Sequence, residues 1–205
     1  MNDQPPSTAD RIKAAALSLF LDSGYNGTSL SDIAKAVGIK TPSIYAHFES
    51  KDQLFQQLFA DVIMEDLAKF KAMQRKLNGA GPVAKLRGAF DYYVESDELS
   101  AGQTFLRQTF LLPPRHLRAA LREKFLQYEN EINGILLAFY REGVDLGYFR
   151  PDTEEQMIAL FYAGSDGLLV ERQIYDEELL NSRKKEVWNA ILQLFATDKG
   201  KGQIE

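Results

Sequence analysis

The chain has 205 residues and a net charge of −5, and 45% of its residues are hydrophobic. This length allows one or two domains with a substantial core, and the acidic balance argues against a non-specific DNA-coating protein, which needs a basic surface. Cysteine is absent, which excludes disulfide bonds and thiolate metal sites and suits a reducing cytoplasm. No apolar run reaches the roughly 18 residues of a membrane span, and the start lacks the pattern of a secretory signal.

The first predicted helix begins at Ser7 or Thr8 and ends near Gly24. Residues 1–6 precede it as a flexible tail. Apolar residues recur in it at the spacing of one helix face, which predicts a buried stripe. The stripe consists of Ile12, Ala15, Ala16, Leu19 and Phe20.

Residues 29–48 have the pattern of two short helices joined by a tight turn. Gly38 ends the first helix, because glycine adopts the left-handed conformation that helix ends commonly need. Thr41 is suited to cap the second helix, with Pro42 at its first position. The apolar positions that hold the two helices together are Leu30, Ile33, Ala34, Val37, Ile44 and Phe48. This pattern is a helix-turn-helix, whose second helix lies in a DNA major groove.

The candidate base contacts are the side chains at the start of the second helix that belong to no apolar face. They are Lys40, Thr41, Pro42, Ser43 and His47. In the alternative, any one of Lys40, Thr41 and Ser43 only solvates the helix start, and His47 only faces solvent, although the motif context favours contact for His47. Upstream, Thr28 and Ser29 stand at the start of the preceding helix, where hydroxyls and free amides can bind a phosphate. Residues 1–51 hold five basic and five acidic side chains, so we expect phosphates to be met partly by amides and hydroxyls.

One long helix, which bridges the two predicted domains, is expected from Ser50 to about residue 77. Ser50 and Gln53 form a capping box at its start, and Lys51 is placed there to meet a phosphate. We place the boundary between the two domains near Asp66, within this helix. A helix that bridges both domains would move the DNA-reading segment as a rigid lever.

The run TSLSDIAKAVGIKTPSIYAHFESKDQLF resembles the DNA-binding domain of the TetR family of bacterial transcriptional repressors. The resemblance covers roughly residues 7–66. Its marker residues here are Gly24, Gly38, Tyr45, Phe48 and Lys51. The resemblance implies that Tyr45 contacts a phosphate and that a helical domain for ligand binding and dimerisation follows. Ala46 is smaller than the residue often found there, which limits a base contact at this position to a thymine methyl group.

Residues 67–197 are predicted to be helical throughout, and residues 198–205 to be a flexible tail. Helices are expected over 83–98, 101–112, about 115–143 and 154–175, with a last helix from Asp176. Thr153 and Gln156 predict a capping box before the fourth of these. The fold class is therefore all-α, with an N-terminal three-helix DNA-binding domain followed by a larger helical bundle.

The last two helices are the predicted homodimer surface, because the first of them is apolar on nearly all sides. The residues assigned to the dimer interface are Gly164, Leu168, Trp188, Ile191 and Phe195. In the alternative, both helices are interior to one large bundle.

The candidate effector pocket draws on aromatic and charged residues of the second domain. These are Phe90, Tyr93, Arg107, His116, Phe125, Tyr128, Phe161, Tyr162 and Asp166. Arg107 or His116 would anchor an anionic effector, whereas Asp166 and Glu171 would favour a cationic one or would only line the dimer surface. His116 could instead belong to a solvated, positively charged helix start, so the charge of the effector stays open.

Catalysis is not predicted. The two histidines are far apart, no HExxH motif is present, and neither a glycine-rich phosphate loop nor a nucleophile elbow occurs. We therefore expect no enzyme activity, no metal and no cofactor. The sequence predicts a dimeric, ligand-responsive repressor of the bacterial cytoplasm, nucleoid-associated when bound to palindromic operator DNA. The alternative is a helical small-molecule-binding or interaction protein whose helix-turn-helix is only structural.

Overall fold

The computed structural model describes residues 5–94 and 100–202. Its helices are α1 (Thr8–Gly27), α2 (Leu30–Val37), α3 (Thr41–Tyr45), α4 (Lys51–Lys76), α5 (Pro82–Val94), α6 (Ala101–Leu111), α7 (Arg118–Asp145), α8 (Glu154–Glu171), α9 (Glu177–Phe195) and α10 (Asp198–Lys201). A short 3₁₀ turn, Arg115–Leu117, precedes α7. Within these residues no strand forms, and one isolated bridge joins Phe149 to Ala196. The all-α prediction is confirmed.

Side-chain hydrogen bonds cap the starts of α1 and α2. Ser7 forms a capping box with Asp10, and Ser29 forms one with Asp32. The first helix continues past Gly24 to Gly27, although Gly24 itself has a left-handed φ of 68°. One glycine therefore kinks α1 there, and the last turn resumes beyond it.

The turn between α2 and α3 is also close to the prediction. Gly38 has φ 76° and ψ 33°, and its amide donates to the end of α2. The N-cap of α3 is Lys40 rather than Thr41, which is already the first helical residue. The difference is one residue, within the usual uncertainty of a helix end.

The described chain divides into two compact units. The N-terminal unit lies within residues 1–66 and 98–128, and the C-terminal unit lies within 67–97 and 129–205. The first division falls at Asp66, where the sequence also places a boundary. Residues of α6 and the start of α7, however, belong to the N-terminal unit rather than to the second domain.

Aromatic packing explains why α6 belongs to the N-terminal unit. The ring of Phe105 lies 5.1 Å from that of Phe55 on α4 and 6.3 Å from that of Phe20 on α1. Phe20 and Phe55 are themselves in edge contact at 5.1 Å. A buried aromatic side chain contributes more apolar area than most others, so Phe105 anchors α6 to the first four helices.

The C-terminal unit has its own core, formed by α5, α8, α9 and the adjoining parts of α4 and α7. Its largest fully buried side chains are Phe70, Phe90, Ile132, Tyr140, Phe149 and Phe161. Lys85 is buried and pairs with Glu142 at 2.6 Å. That pairing satisfies a charge that would otherwise be costly to bury.

Three local predictions need correction. Thr153 makes no cap hydrogen bond to α8, because its hydroxyl instead meets the Tyr140 hydroxyl at 2.6 Å. Helix α8 ends at Glu171, four residues before the predicted end. The predicted tail contains α10, in which Gly200 is buried against the Tyr148 backbone. Residues 1–4, 95–99 and 203–205, which include both outer tail segments and the predicted end of α5, lie outside the described residues.

The predicted dimer residues also need correction. Leu168, Trp188, Ile191 and Phe195 are only 3% to 8% exposed within a single chain. A Cβ atom on Gly164 would lie 2.7 Å from the Val187 side chain, so this glycine allows α8 and α9 to pack closely. These five residues hold the C-terminal unit together, because their helix faces are the ones that point inward.

Among the described helices, none combines the length and apolar character that crossing a bilayer requires.

Candidate DNA interface

Helix α3 exposes one polar face and buries one apolar residue. Ile44 is 0% exposed, and Phe48 just beyond the helix is 2% exposed. The neighbouring side chains that face solvent are Lys40, Pro42, Ser43, Tyr45, Ala46 and His47, and Thr41 is half-buried. Apart from half-buried Thr41, the candidate base contacts of the sequence are therefore exposed on α3 or directly beside its two ends.

The helix-turn-helix is held by a hydrogen bond from α1 and by a backbone hydrogen bond within its own turn. Arg11 on α1 donates a 2.7 Å hydrogen bond to the Val37 carbonyl oxygen at the end of α2. The Ile39 amide donates to the Ala34 carbonyl oxygen at 3.0 Å. The position of α3 is thus determined by its buried Ile44 and by a turn whose backbone groups are paired.

The start of α2 differs from the phosphate site that the sequence predicts. Thr28 is buried, and its hydroxyl donates to the carbonyl oxygens of Leu19 and Gly24 at 3.0 and 2.9 Å. The Ser29 hydroxyl and amide both donate to Asp32, at 2.5 and 2.9 Å. These bonds hold the pKa of the Asp32 carboxyl below its ordinary value, so a negative charge stands at this helix start. Ser29 is exposed, but Thr28 has a structural role.

Lys51 also has structural contacts. Its ammonium group donates to the carbonyl oxygens of Tyr25 and Thr28 at 2.8 and 2.9 Å and lies over the Tyr25 ring. An ammonium has three N–H donors, so these two bonds leave one. Beside it, the Ser50 hydroxyl caps α4 by accepting from the Gln53 amide at 3.1 Å. Lys51 therefore links the start of α4 to the segment between α1 and α2.

His116 lies in the N-terminal unit, next to the start of α4. Its Nε2 atom is 3.1 Å from a carboxylate oxygen of Asp52, whose other oxygen accepts from the Tyr25 hydroxyl. The Tyr25 bond, together with His116 and Lys51, holds the pKa of the Asp52 carboxyl below its usual value. Burial and the Asp52 charge raise the pKa of Tyr25. The sequence did not suggest this cluster, because its members are separated by up to 91 positions.

The other predicted effector residues fall into two groups. Arg107, Phe125 and Tyr128 belong to the N-terminal unit, where the Tyr128 hydroxyl donates to buried Asp66 at 2.5 Å. Gln103 donates to the other oxygen of Asp66 at 3.0 Å. The second group, in the C-terminal unit, comprises Phe90, Tyr93, Phe161, Tyr162 and Asp166.

The group in the C-terminal unit forms an aromatic cluster. The Tyr93 ring lies 5.6 Å from Phe161 and 5.8 Å from Tyr162, both in edge-to-face geometry. Burial raises the pKa of Tyr162, as do the nearby charges of Glu129 and Asp166. Burial and the charge of Asp166 likewise raise the pKa of Glu129. The cluster therefore combines aromatic faces with two carboxyl groups.

An open groove of about 430 Å³ lies elsewhere, along α4. It is lined by Ser50, Asp52, Gln53, Gln56, Gln57, Ala60, Asp61 and Lys124. None of the predicted effector residues belongs to this lining.

Comparison with known proteins agrees with this geometry. The sequence model described as "Bacterial regulatory proteins, tetR family" matches residues 12–58. The transcriptional repressor KstR2 of Mycolicibacterium smegmatis is 29% identical over 159 residues, which are 77% of this chain and 75% of that protein. The biofilm operon regulator IcaR of Staphylococcus aureus strain Newman is 50% identical over 48 residues, which are 23% of this chain and 26% of IcaR.

The fold beyond the matched segment is also shared with solved proteins. A protein from Saccharomonospora viridis, crystallised in complex with choline, superimposes with a TM-score of 0.74 at 17% identity, over 92% of this chain and 97% of that one. KstR2 and IcaR are both described as transcriptional regulators. The helix-turn-helix therefore lies in a segment, residues 12–58, that matches the TetR family of bacterial regulatory proteins, and this match supports a DNA-binding regulator.

Proposed function

We propose that the chain is a homodimeric repressor that binds a palindromic operator and leaves it when a small molecule binds. The observation that carries this proposal is the exposed polar face of α3, with Ile44 buried behind it. A dimer would present two such helices about one turn of DNA apart, as two-fold symmetric helix-turn-helix proteins do.

Within each half-site, the side chains have different tasks. Ser43 and His47 reach base edges, while Lys40 and Tyr45 contact phosphates on either side of the groove. Tyr45 is 57% exposed, more than a tyrosine that served only in packing would be. Ser29 adds a hydroxyl near the start of α2. Lys51 contributes to binding mainly through its bonds to the backbone beneath this surface.

The dimer surface is the outer side of α8 and α9. Successive steps of three or four residues place the exposed positions of each helix on one stripe. The stripe on α8 consists of Leu160, Ala163, Gly167 and Val170, and the stripe on α9 consists of Leu179, Arg183, Glu186, Ala190 and Leu194. Small residues at Ala163 and Gly167 would let a second copy approach closely. Pairing would remove the apolar side chains of both stripes from water.

The effector binds at the aromatic cluster of the C-terminal unit. The two charges that influence the Tyr162 hydroxyl are the carboxylates Glu129 and Asp166, which favours a cationic effector over an anionic one at this place. Aromatic faces attract organic cations. The choline complex of the Saccharomonospora viridis protein supports this class of effector.

Binding of effector and DNA must be reciprocal. An effector can release the operator only if it prefers the DNA-incompetent arrangement, and DNA must then weaken effector binding by the same factor. Helix α4 runs from Lys51 to Lys76, so residues of both units belong to this one helix. A continuous helix of this kind is suited to couple effector binding to DNA binding.

The test is fluorescence anisotropy with a duplex from the DNA upstream of the chain's own gene and a scrambled duplex as competitor. We expect binding to the first duplex only, and its loss in Tyr45→Ala and Ser43→Arg. Glu177→Gln, remote from α3 along the chain and exposed, is the matched control. Equal binding to both duplexes at low salt would contradict the proposal. Addition of choline tests the effector class, with acetate as the anionic comparison.

A further inference from the structure

The cluster of Tyr25, Asp52 and His116 contains none of the candidate base or phosphate contacts, yet it joins three separate segments of the N-terminal unit. Tyr25 lies in the last turn of α1, Asp52 in the first turn of α4, and His116 in the 3₁₀ turn before α7. One carboxylate oxygen of Asp52 accepts a hydrogen bond from the Tyr25 hydroxyl. The other carboxylate oxygen lies 3.1 Å from Nε2 of His116. The Tyr25 and His116 rings are 5.4 Å apart.

The cluster is connected directly to the DNA-reading element. Tyr25 carries the ring over which Lys51 lies, and Lys51 also binds the Thr28 carbonyl oxygen. Thr28 immediately precedes Ser29, the cap of α2. A displacement of Tyr25 or Asp52 would therefore reach the start of α2 through one side chain and two hydrogen bonds.

We propose that His116 is a positioning residue for DNA binding, which holds the helix-turn-helix in its binding arrangement through Asp52 and Tyr25. The sequence alternatives for His116 were an effector anchor and a solvated helix start. Its contacts give it a third role. The inference rests on the proposed operator binding, because its effect on affinity presupposes a specific site.

The contact depends on the charge of the imidazole. A protonated His116 forms an ion pair with Asp52, and a neutral one keeps at most a hydrogen bond. Around the imidazole, α4 contributes Asp52 and, next to it, Lys51, while α1 contributes Tyr25. Arg115 and Arg118 flank it along the chain. A protonated imidazole pairs with a carboxylate more strongly than a neutral one does, so we expect the support that His116 gives to the helix-turn-helix to be greater at low pH than at high pH.

The chain has only two histidines, which makes the contribution separable. Operator affinity is measured by anisotropy at about pH 6 and about pH 8 for the wild type, His116→Gln, His47→Gln and Asp52→Asn. Between these two pH values we expect the affinity of the wild type to fall about two- to fivefold more than that of His116→Gln. A factor of this size corresponds to the contribution of a partly exposed ion pair. Because His47 is itself proposed to reach a base edge, the same comparison is repeated between His47→Gln and the double variant His47→Gln/His116→Gln, where the loss caused by His116→Gln should persist. Asp52→Asn should lose this pH-dependent difference in affinity. The double variant His116→Gln/Asp52→Asn should show the same loss as either single variant.

A second measurement does not need DNA. Hydrogen exchange of the free protein should become faster within residues 25–29 and 51–54 in His116→Gln, and should stay unchanged in α8. His116→Arg, which keeps a cation at both pH values, should restore slow exchange. If the wild type fails to bind any specific duplex, the proposed function fails, while the exchange result still decides the contact. Unchanged exchange in His116→Gln, or a pH dependence of affinity equal to that of the wild type, would overturn the inference.

Discussion

The ammonium group of Lys51 lies 4.1 Å from the centre of the Tyr25 ring and donates a 2.8 Å hydrogen bond to the carbonyl oxygen of the same residue. Its second bond, to Thr28, has a length of 2.9 Å. A lysine that sequence reasoning assigns to a phosphate therefore also cross-links two segments of the protein. The two tasks make different demands, which mutation can separate.

Replacement of Lys51 by methionine should lower both stability and DNA affinity. Methionine keeps the length of the side chain but leaves two backbone carbonyl oxygens without their donor, at a cost of about 1–2 kcal/mol. Urea unfolding measures the first effect and anisotropy the second. Lys40→Met is the matched control, because Lys40 is exposed and makes no side-chain cap bond. It should reduce affinity alone, and an equal loss of stability in both variants would contradict the structural role of Lys51.

Gly38→Ala should destabilise the N-terminal unit by about 1–2 kcal/mol, because an L-residue with φ 76° is strained by its own Cβ atom. A Cβ atom at this position would meet nothing within 4 Å, so the cost arises from the backbone alone. Gly79→Ala has equal space and no left-handed φ, and should be nearly neutral. Denaturant midpoints with unchanged m-values measure both. A neutral Gly38→Ala would mean that the turn relaxes without strain.

Val170→Glu should weaken the proposed dimer about tenfold or more. Val170 is exposed on the outer stripe of α8, and across a two-fold axis its replacement would bring two like charges together. Sedimentation equilibrium as a function of concentration measures the effect. Leu146→Glu is the control, since Leu146 is similarly exposed but lies at the end of α7. Equal dissociation by both substitutions, or by neither, would place the interface elsewhere.

Tyr128→Phe should cost about 1–3 kcal/mol of unfolding free energy. The Tyr128 hydroxyl donates at 2.5 Å to Asp66, a carboxylate that is only 5% exposed. Removal of the donor leaves a buried acceptor with one bond fewer, and hydrogen bonds to charged groups are the stronger ones. Tyr45→Phe, at an exposed position, is the control and should leave the denaturation midpoint unchanged. A loss of the same size in the control would remove the argument.

Much of the N-terminal domain could be predicted from the sequence alone. The caps at Ser7 and Ser29, the glycine at position 38 and the buried stripe of α2 all depend on residues within about four positions of one another. For the same reason, the exposed face of α3 follows directly from which positions of a short helix are apolar. Interactions between residues close in sequence were therefore sufficient to predict the helix-turn-helix and the exposure of its polar face.

Contacts between distant residues decided the rest. Periodicity identifies the apolar faces of α8 and α9 but not which face meets the chain's own core, so Leu168 and Trp188 were assigned to the wrong side. The ring contacts of Phe105 draw α6 to the N-terminal unit, and no local pattern reports them.

The sequence by itself determined that this protein contains a helix-turn-helix, because helix caps, turns and amphipathic faces are local properties. Only the tertiary structure decided which distant side chains hold the helix-turn-helix in place. His116 meets Asp52 from 64 positions away, and Lys51 binds backbone oxygens 23 and 26 positions before it. Such contacts arise only when packing brings the segments together, since the free energy of each depends on burial and geometry that the chain acquires on folding.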